Sequence, residues 1–444
     1  MRPRNLEEKK IFNICVIGAG HVGLVVSACF AKLKHRVFCV DNDSRKIALL
    51  KKLCLPFFEP GLEELVKEGV KKARLHFSCN LAEGIRKAEI IFIAVGTPPK
   101  EDGSVDLTSI ERVCRVIAQN LNSYKLIIEK STVPVHTGQK VKETISRYRR
   151  KNIDFDVASN PEFLREGSAV YDFFNPSRIV LGVESDRAEK ILRNLYQKIE
   201  APLVVTDINT AELIKHTSNS FLATKISFIN AISRICDKAK ADVEKVAEAV
   251  GLDPRIGREF LRPGIGFGGF CLPKDIDAFI YISKRLGYKF SLLDEVKRIN
   301  EEQRVYFVEK IKEQVWVLKE KNLAIFGLSF KPNTDDMRFS PSLYIVESLV
   351  KEGARLSLYD PQAMREAKRV FSSLGRRVKF FKDPYCAVKG CDCLCILTEW
   401  EEFRRLNFKK IKALMRYPFI ADGRDFLDKE ALEELGFKYI GIGR

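Results

Sequence analysis

The sequence predicts an α/β fold of two doubly wound regions joined by a long central helix and a helical segment. Three observations predict it. Short apolar runs with little polar alternation recur through residues 11–206, with helical-period segments between most of them. Strands buried on both faces of a parallel sheet read this way. From Thr210 the pattern switches to a wide apolar stripe of Leu213, Ile214, Phe221, Leu222, Phe228, Ile229, Ile232 and Ile235. That spacing predicts a helix of about seven turns. Near residue 322 a second apolar run restarts the α/β alternation.

The strand candidates follow in order. Residues 11–18 form the first, and 36–40 the second, ending at Asp41. Residues 89–95 run into Gly96-Thr97-Pro98-Pro99, and 126–129 precede Ser131-Thr132-Val133-Pro134. Residues 155–158 and 179–182 continue the series, and 203–206 close it. Further helices run to about Leu318. The second α/β region opens at 322–330, and its strand 355–359 ends at Asp360, repeating the strand–helix–strand–Asp outline of 11–41 without its glycines. A different ligand is expected there. The chain divides as 1–208, 209–318 and 319–444.

A chain of 444 residues exceeds one ordinary core and implies two or three domains. With 45% apolar and 30% charged residues, its composition is that of a globular protein. It holds no run of about 18 uncharged apolar residues, so no membrane span is expected. The opening Met1-Arg2-Pro3-Arg4, followed by Glu7 and Glu8, lacks the apolar segment of a signal peptide. Twelve cysteines without such a signal imply free thiols in a reducing, cytoplasmic compartment. Cys391, Cys393 and Cys395 alternate as though lining one face of a buried strand. With no partner cluster at zinc-type spacing, no metal is expected.

The net charge of +17 raises the question of a nucleic-acid partner. The basic residues, however, are interspersed with glutamates, as in 309–313. The densest cluster, 147–151, reads as a solvated loop, and no nucleic-acid motif is present. A basic chain that holds phosphorylated ligands is the simpler reading.

Gly18-x-Gly20-x-x-Gly23 follows the first strand and opens a helix, and Asp41 ends the second strand. The glycines permit a tight turn, close approach of a pyrophosphate and close helix–sheet packing, while the helix N-terminus receives negative charge. An acid at Asp41 accepts both ribose hydroxyls, which favours NAD over its 2′-phosphorylated counterpart. Strand, glycines, helix and acid together make a Rossmann-like NAD site.

Residues 264–275 place Cys271 at the end of a glycine-rich loop ahead of a helix with Pro273 at its first position. A helix N-terminus and Lys274 both favour a thiolate there. The competing reading is a small buried hydrophobe. In residues 160–167, Asn160 reads as an N-cap and Pro161 as the first helical residue, so Glu162 and Glu166 would share a helical face. Dipole complements are the alternative role for these acids. Lys215 and Asn219 fall four apart on the polar edge of the long helix, either as alkoxide donors or as solvated surface. Lys331 and Arg338 lie beside the first strand of the second region, where a phosphate is expected.

Taken together these segments closely resemble the UDP-glucose/GDP-mannose dehydrogenase family. The motifs that carry the resemblance are 18–23, 95–99, 131–134, 160–167, 260–263, the Cys271 loop, 330–338, 397–400 and 422–424. They keep the family's order over essentially the whole chain. The resemblance implies oxidation of a sugar C6 alcohol to a carboxylate with two NAD per sugar, UDP-glucose giving UDP-glucuronate. It makes Cys271 the nucleophile on the intermediate aldehyde and Glu162 the base for hydrolysis of the thioester. Lys215, Asn219 and Asp275 would stabilise oxyanions and hold water. For NAD it points to Gly18, Gly20, Val22, Gly23, Asp41, Lys46, Thr97, Thr132, Glu166, Lys274 and Arg338. For the UDP-sugar it points to Phe163, Leu164, Lys215, Asn219, Arg262, Gly266, Gly268, Lys331 and Arg424, with Arg255 reaching in from a neighbouring copy. A homodimer or higher homo-oligomer through the long helix is implied.

Three positions depart from the family. His21 stands where an aromatic is common, His136 where glycine is common, and Phe270 where a small serine is common. The alternatives are the same chemistry on GDP-mannose or an N-acetylated UDP-sugar, a two-electron hydroxyacid dehydrogenase, and a nucleotide-sugar sensor or nucleic-acid-binding protein without turnover. The second leaves Cys271 unexplained, and the third leaves the candidate catalytic groups unexplained.

Overall fold

The computed structural model describes residues 10–444. Residues 1–9, where the signal-peptide expectation falls, lie outside the described residues. The chain forms two compact units. One comprises the described residues through Ser218 with Asp277–Arg285, and the other Asn219–Ile276 with Leu286–Arg444.

The first unit is built on strands β1 (Asn13–Ile17), β2 (Arg36–Val40), β3 (Leu75–Ser78), β4 (Ile90–Ile93), β5 (Lys125–Glu129), β6 (Phe155–Ser159), β7 (Ile179–Gly182) and β8 (Leu203–Thr206). They lie in the order β3-β2-β1-β4-β5-β6-β7-β8. In β1, Ile14 and Val16 enter one apolar cluster with Leu24 and Phe30, while Cys15 and Ile17 enter another with Ile91 and Ile127. Successive side chains point to opposite faces of a strand. Both faces are covered, which explains a run with so little polar alternation. The edge strand β3 has no such run: its burial alternates, with His76 outward, so the apolar-run reading misses it. All pairings are parallel except β6 with β7, which meet antiparallel at Ser159 and Gly182.

The second unit carries β9 (Asn322–Phe326), β10 (Arg355–Tyr359), β11 (Val378–Phe380), β12 (Cys393–Ile396), β13 (Phe419–Asp422) and β14 (Lys438–Ile440). The order is β11-β10-β9-β12-β13-β14, parallel throughout. Cys393 and Cys395 share a face with Leu323 and Ile325. Cys391 does not; it packs with Leu394 and Ile396 on the other side. The chain turns at Asp392, whose carboxylate accepts the Asn322 amide at 2.9 Å, so strand alternation starts only at Cys393.

The long helix spans Ile208–Ala239, 32 residues, about nine turns rather than seven. Its apolar stripe is divided. Ile229 is buried in a cluster with Val243 and Leu261, whereas Phe221, Phe228 and Ile235, spaced at sevens, are each more than half exposed. Among the described residues no helix is long and apolar enough to cross a membrane.

Candidate active site

The glycine turn after β1 is shaped by contacts that only glycine permits. Gly18 has φ +107°, and a Cβ there would lie 2.3 Å from the Ala94 carbonyl oxygen. A Cβ on Gly23 would lie 1.9 Å from the Gly18 carbonyl oxygen. Gly20 differs: nothing lies within 4 Å of its added Cβ, and it caps the helix His21–Lys32. Two glycines thus serve packing, and the third leaves the helix N-terminus open, as a pyrophosphate requires. Val22, on the first turn of that helix, is half-buried against the core.

Asp41 follows β2. Its carboxylate accepts the Ala19 amide at 2.8 Å, the Lys46 ammonium at 2.9 Å and the Asp43 amide at 2.9 Å. Burial would raise its pKa, but these bonds outweigh burial and hold it below the usual range. Thr97 Oγ1 donates to the Thr132 carbonyl at 3.1 Å, tying together the loops after β4 and β5. An open helix N-terminus beside an ionised carboxylate fits NAD, which supplies a hydride acceptor when bound.

The same unit holds the predicted base. Glu162 Oε1 lies 3.0 Å from Lys215 Nζ, both side chains 5% exposed. Its Oε2 accepts the Leu164 amide at 2.5 Å. Lys215 is therefore no solvated edge residue. Phe163 is flanked by the Arg178 guanidinium at 3.7 Å and Lys215 at 5.4 Å, and Leu164 packs against the core. The expected helical turn at 160–167 is not formed. Asn160 cannot cap it, because its side chain is already used. Its Oδ1 accepts from Lys130 and Tyr196, and its Nδ2 donates to the Val180 carbonyl. Glu162 and half-buried Glu166 consequently share no helical face.

In the other unit Cys271 opens the helix Cys271–Arg285, with Pro273 third rather than first. That position is still in the first turn, where a missing N–H costs no intrahelical bond. Cys271 is half-buried. Asp275, almost wholly buried, accepts the Asn219 amide at 2.6 Å, and its other oxygen lies 2.7 Å from Lys274 Nζ. The preceding loop is packed, not slack. A Cβ on Gly268 would lie 2.4 Å from the Phe339 carbonyl oxygen, and one on Gly266 would lie 2.7 Å from Asn300 Oδ1. Asn300 in turn bonds both backbone groups of Phe267.

The remaining cations in this unit differ in engagement. Arg338 forks onto Asp336. Arg424 donates to the Leu397 and Gly266 carbonyls, and Lys331 sits 5.6 Å from the Phe330 ring centre. Arg262 is exposed, and Arg255, with 87% of its side chain exposed, pairs with Asp253.

Three family models match the chain in succession. The NAD binding domain of the UDP-glucose/GDP-mannose dehydrogenase family covers residues 12–200, its central domain 209–302, and its UDP binding domain 324–429. The chain belongs to this family.

Within the UDP-glucose/GDP-mannose dehydrogenases, the chain is 45% identical to UDP-glucose 6-dehydrogenase TuaD of Bacillus subtilis, over 97% of this chain and 93% of the relative. It is 42% identical to a UDP-glucose 6-dehydrogenase of Rhizobium meliloti, over 97% of this chain and 99% of that one. Among solved structures, a UDP-glucose dehydrogenase from the archaeon Pyrobaculum islandicum superposes with a TM-score of 0.91. The two are 37% identical, over 100% of this chain and 99% of that chain. The chain is accordingly an NAD-dependent oxidoreductase.

The three departures from the family pattern have local accounts. His21 stacks on Phe57 with ring centres 3.8 Å apart, so an imidazole replaces another aromatic. His136 adopts φ +74°, the left-handed region where glycine is at ease, and its amide donates to Glu212 at 2.7 Å. Phe270 presents its ring to the Arg338 guanidinium at 4.5 Å and to Lys274 at 5.8 Å.

Sequence reasoning missed two buried charges at the end of β5, Glu129 and Lys130. The available signal was a charged pair directly after the apolar run 126–128. Glu129 is 1% exposed, and Glu212 is 2% exposed. A Cβ on Gly138 would lie 3.4 Å from a Glu129 oxygen and 3.5 Å from a Glu212 oxygen. Burial, and then the charge of Glu212, push the Glu129 carboxyl well above the usual range. A carboxyl raised on folding lends stability that is complete below the ordinary carboxylate range and is lost as pH climbs through the raised value. Glu129→Gln, neutral throughout, should therefore melt with wild type at pH 4 and several degrees above it at pH 9. Every tenfold rise in proton affinity on folding is worth about 1.4 kcal/mol of that difference. Parallel melting curves across that range, read by calorimetry, would remove this role.

Proposed function

We propose that the chain oxidises UDP-glucose to UDP-glucuronate, passing four electrons to two NAD per sugar. The observation that carries this reading is Cys271 at the head of the helix that carries buried Asp275, itself bonded to Asn219. A two-electron alcohol oxidation needs no nucleophile, whereas taking an aldehyde to an acid is easiest through a covalent adduct. Loss of a hydride from C6, with the hydroxyl proton passing to water held by Asp275, leaves the aldehyde. Cys271 Sγ bonds C6 and the carbonyl oxygen takes up a proton, giving a thiohemiacetal. Loss of the second hydride and of that proton gives a thioester. Glu162 then draws a proton from water as its oxygen attacks C6, and the C6–Sγ bond breaks to restore the thiolate. Lys215 and Asn219 serve as oxyanion donors, each worth on the order of 3 kcal/mol.

The division of labour that accompanies this reading puts NAD in residues 1–208, the cysteine loop in 209–318 and the UDP-sugar in 319–444. The UDP binding domain of the family model and the UDP-glucose names of relatives at 40–45% identity support the choice of sugar. Twelve cysteines, all free thiols, suit a reducing cytoplasm. The exposed row Phe221, Phe228 and Ile235 supports self-association through the long helix; a monomeric mass by light scattering would retire that part.

The test of the reaction is a count of NADH per sugar with UDP-glucose, GDP-mannose and UDP-N-acetylglucosamine supplied separately. Two NADH per UDP-glucose, with the other sugars far slower, is the expected result. One NADH per sugar would overturn the four-electron scheme, and preference for another sugar would overturn the substrate.

A further inference from the structure

Lys130 follows directly on β5, 6% exposed, on a chain segment whose amide donates to the Ile93 carbonyl at 2.9 Å. Its ammonium donates to Asn160 Oδ1 at 2.8 Å. That oxygen also accepts the Tyr196 hydroxyl at 2.5 Å, while the Asn160 amide donates to the Glu129 carbonyl at 2.9 Å. Asn160 is thereby clamped on every side, and Glu162 comes two residues later. The titratable groups that act on Lys130 are Glu162 and Lys215, and the Tyr196 phenol shares its acceptor. Burial brings Lys130 down to about 7, with Glu162 pulling it up and Lys215 pushing it down. Burying an ammonium against one neutral amide is costly, and methionine would fill the space without that cost. What the buried amine holds is Asn160, two residues before Glu162.

We infer that Lys130 is a positioning residue for the hydrolytic half of the reaction: by fixing Asn160, two residues ahead of it, Lys130 holds Glu162 in place. The inference rests on the reading of Glu162 as the base that hydrolyses a thioester on Cys271. Lys130 touches neither the sugar nor the thioester in this scheme, and its effect passes entirely through Glu162.

Lys130→Met should leave the two hydride transfers of the first turnover within about threefold of wild type, because neither depends on Glu162. Steady-state turnover should fall tenfold or more, with a thioester adduct accumulating on Cys271 by intact mass. Lys130→Arg, which can still donate to Asn160 Oδ1, should recover most of the hydrolysis rate. Tyr196→Phe removes the other bond to the same Asn160 oxygen, so it should slow hydrolysis while sparing both hydride transfers. Unchanged hydrolysis in Lys130→Met would overturn the inference. So would loss of hydride transfer and hydrolysis in equal proportion, or a Lys130→Arg variant that hydrolyses no faster than Lys130→Met. If wild-type protein releases one NADH per sugar, or never forms a Cys271 adduct under any quench, the reading of the reaction fails instead.

Discussion

Cys271→Ser should abolish uronate formation and reduce the NADH released per UDP-glucose from two to one or fewer. A serine hydroxyl is far less acidic than a thiol and makes a much poorer nucleophile at neutral pH. It cannot add to the aldehyde at a useful rate, so no acyl-enzyme is built for the second hydride to leave from. Steady-state formation of the acid should fall on the order of a thousandfold or more. The substitution removes no packed methylene and leaves Asp275 with its bonds from Asn219 and Lys274, so the unit should keep its melting temperature. Full activity in Cys271→Ser would return the residue to the role of a small buried side chain.

Glu162→Gln should separate the two halves of the reaction. The amide keeps the size of the carboxylate and can still accept the Leu164 amide, but it cannot take a proton from water. Hydride transfer should persist through one turnover, after which the thioester stands unhydrolysed and visible as added mass on Cys271. Removal of a general base typically costs about 10²–10⁴-fold. Lys215 would be left as a buried cation facing an amide, so some destabilisation should accompany the kinetic effect. A variant that turns over at the wild-type rate, or one that accumulates no adduct, would move the hydrolytic role to another residue.

The legible parts of the chain were those in which one physical demand dominates a short segment. β1 is buried on both faces, and its composition says so. Gly18 and Gly23 meet backbone atoms that no other residue could approach. β3 was hidden because an edge strand needs only half of its side chains apolar, and His76 broke the run. The 160–167 segment misled because its Asn-Pro-Glu pattern is a sound local signal for a helix start. Lys130, Tyr196 and Val180 claim the Asn160 side chain from 20 to 36 residues away, and local spacing carries no trace of them. Spacing leaves Lys215 open between donor and solvated surface for a similar reason, since a polar residue on a helix edge looks the same whether it faces water or Glu162. In the Cys271 loop Gly268 and Gly266 admit Phe339 and Asn300 at close range, a demand made from 34 and more residues away that a glycine-rich composition does not disclose.

Glu129 and Lys130 are consecutive, yet their side chains serve separate neighbourhoods: one faces Glu212, the other Asn160 and, through charge, Glu162. A single strand terminus thus turns one side chain to a carboxyl pair and the next to the segment that carries Glu162. Substitutions one residue apart are therefore expected to separate: at Glu129 in how pH affects melting, and at Lys130 in how fast the thioester is hydrolysed.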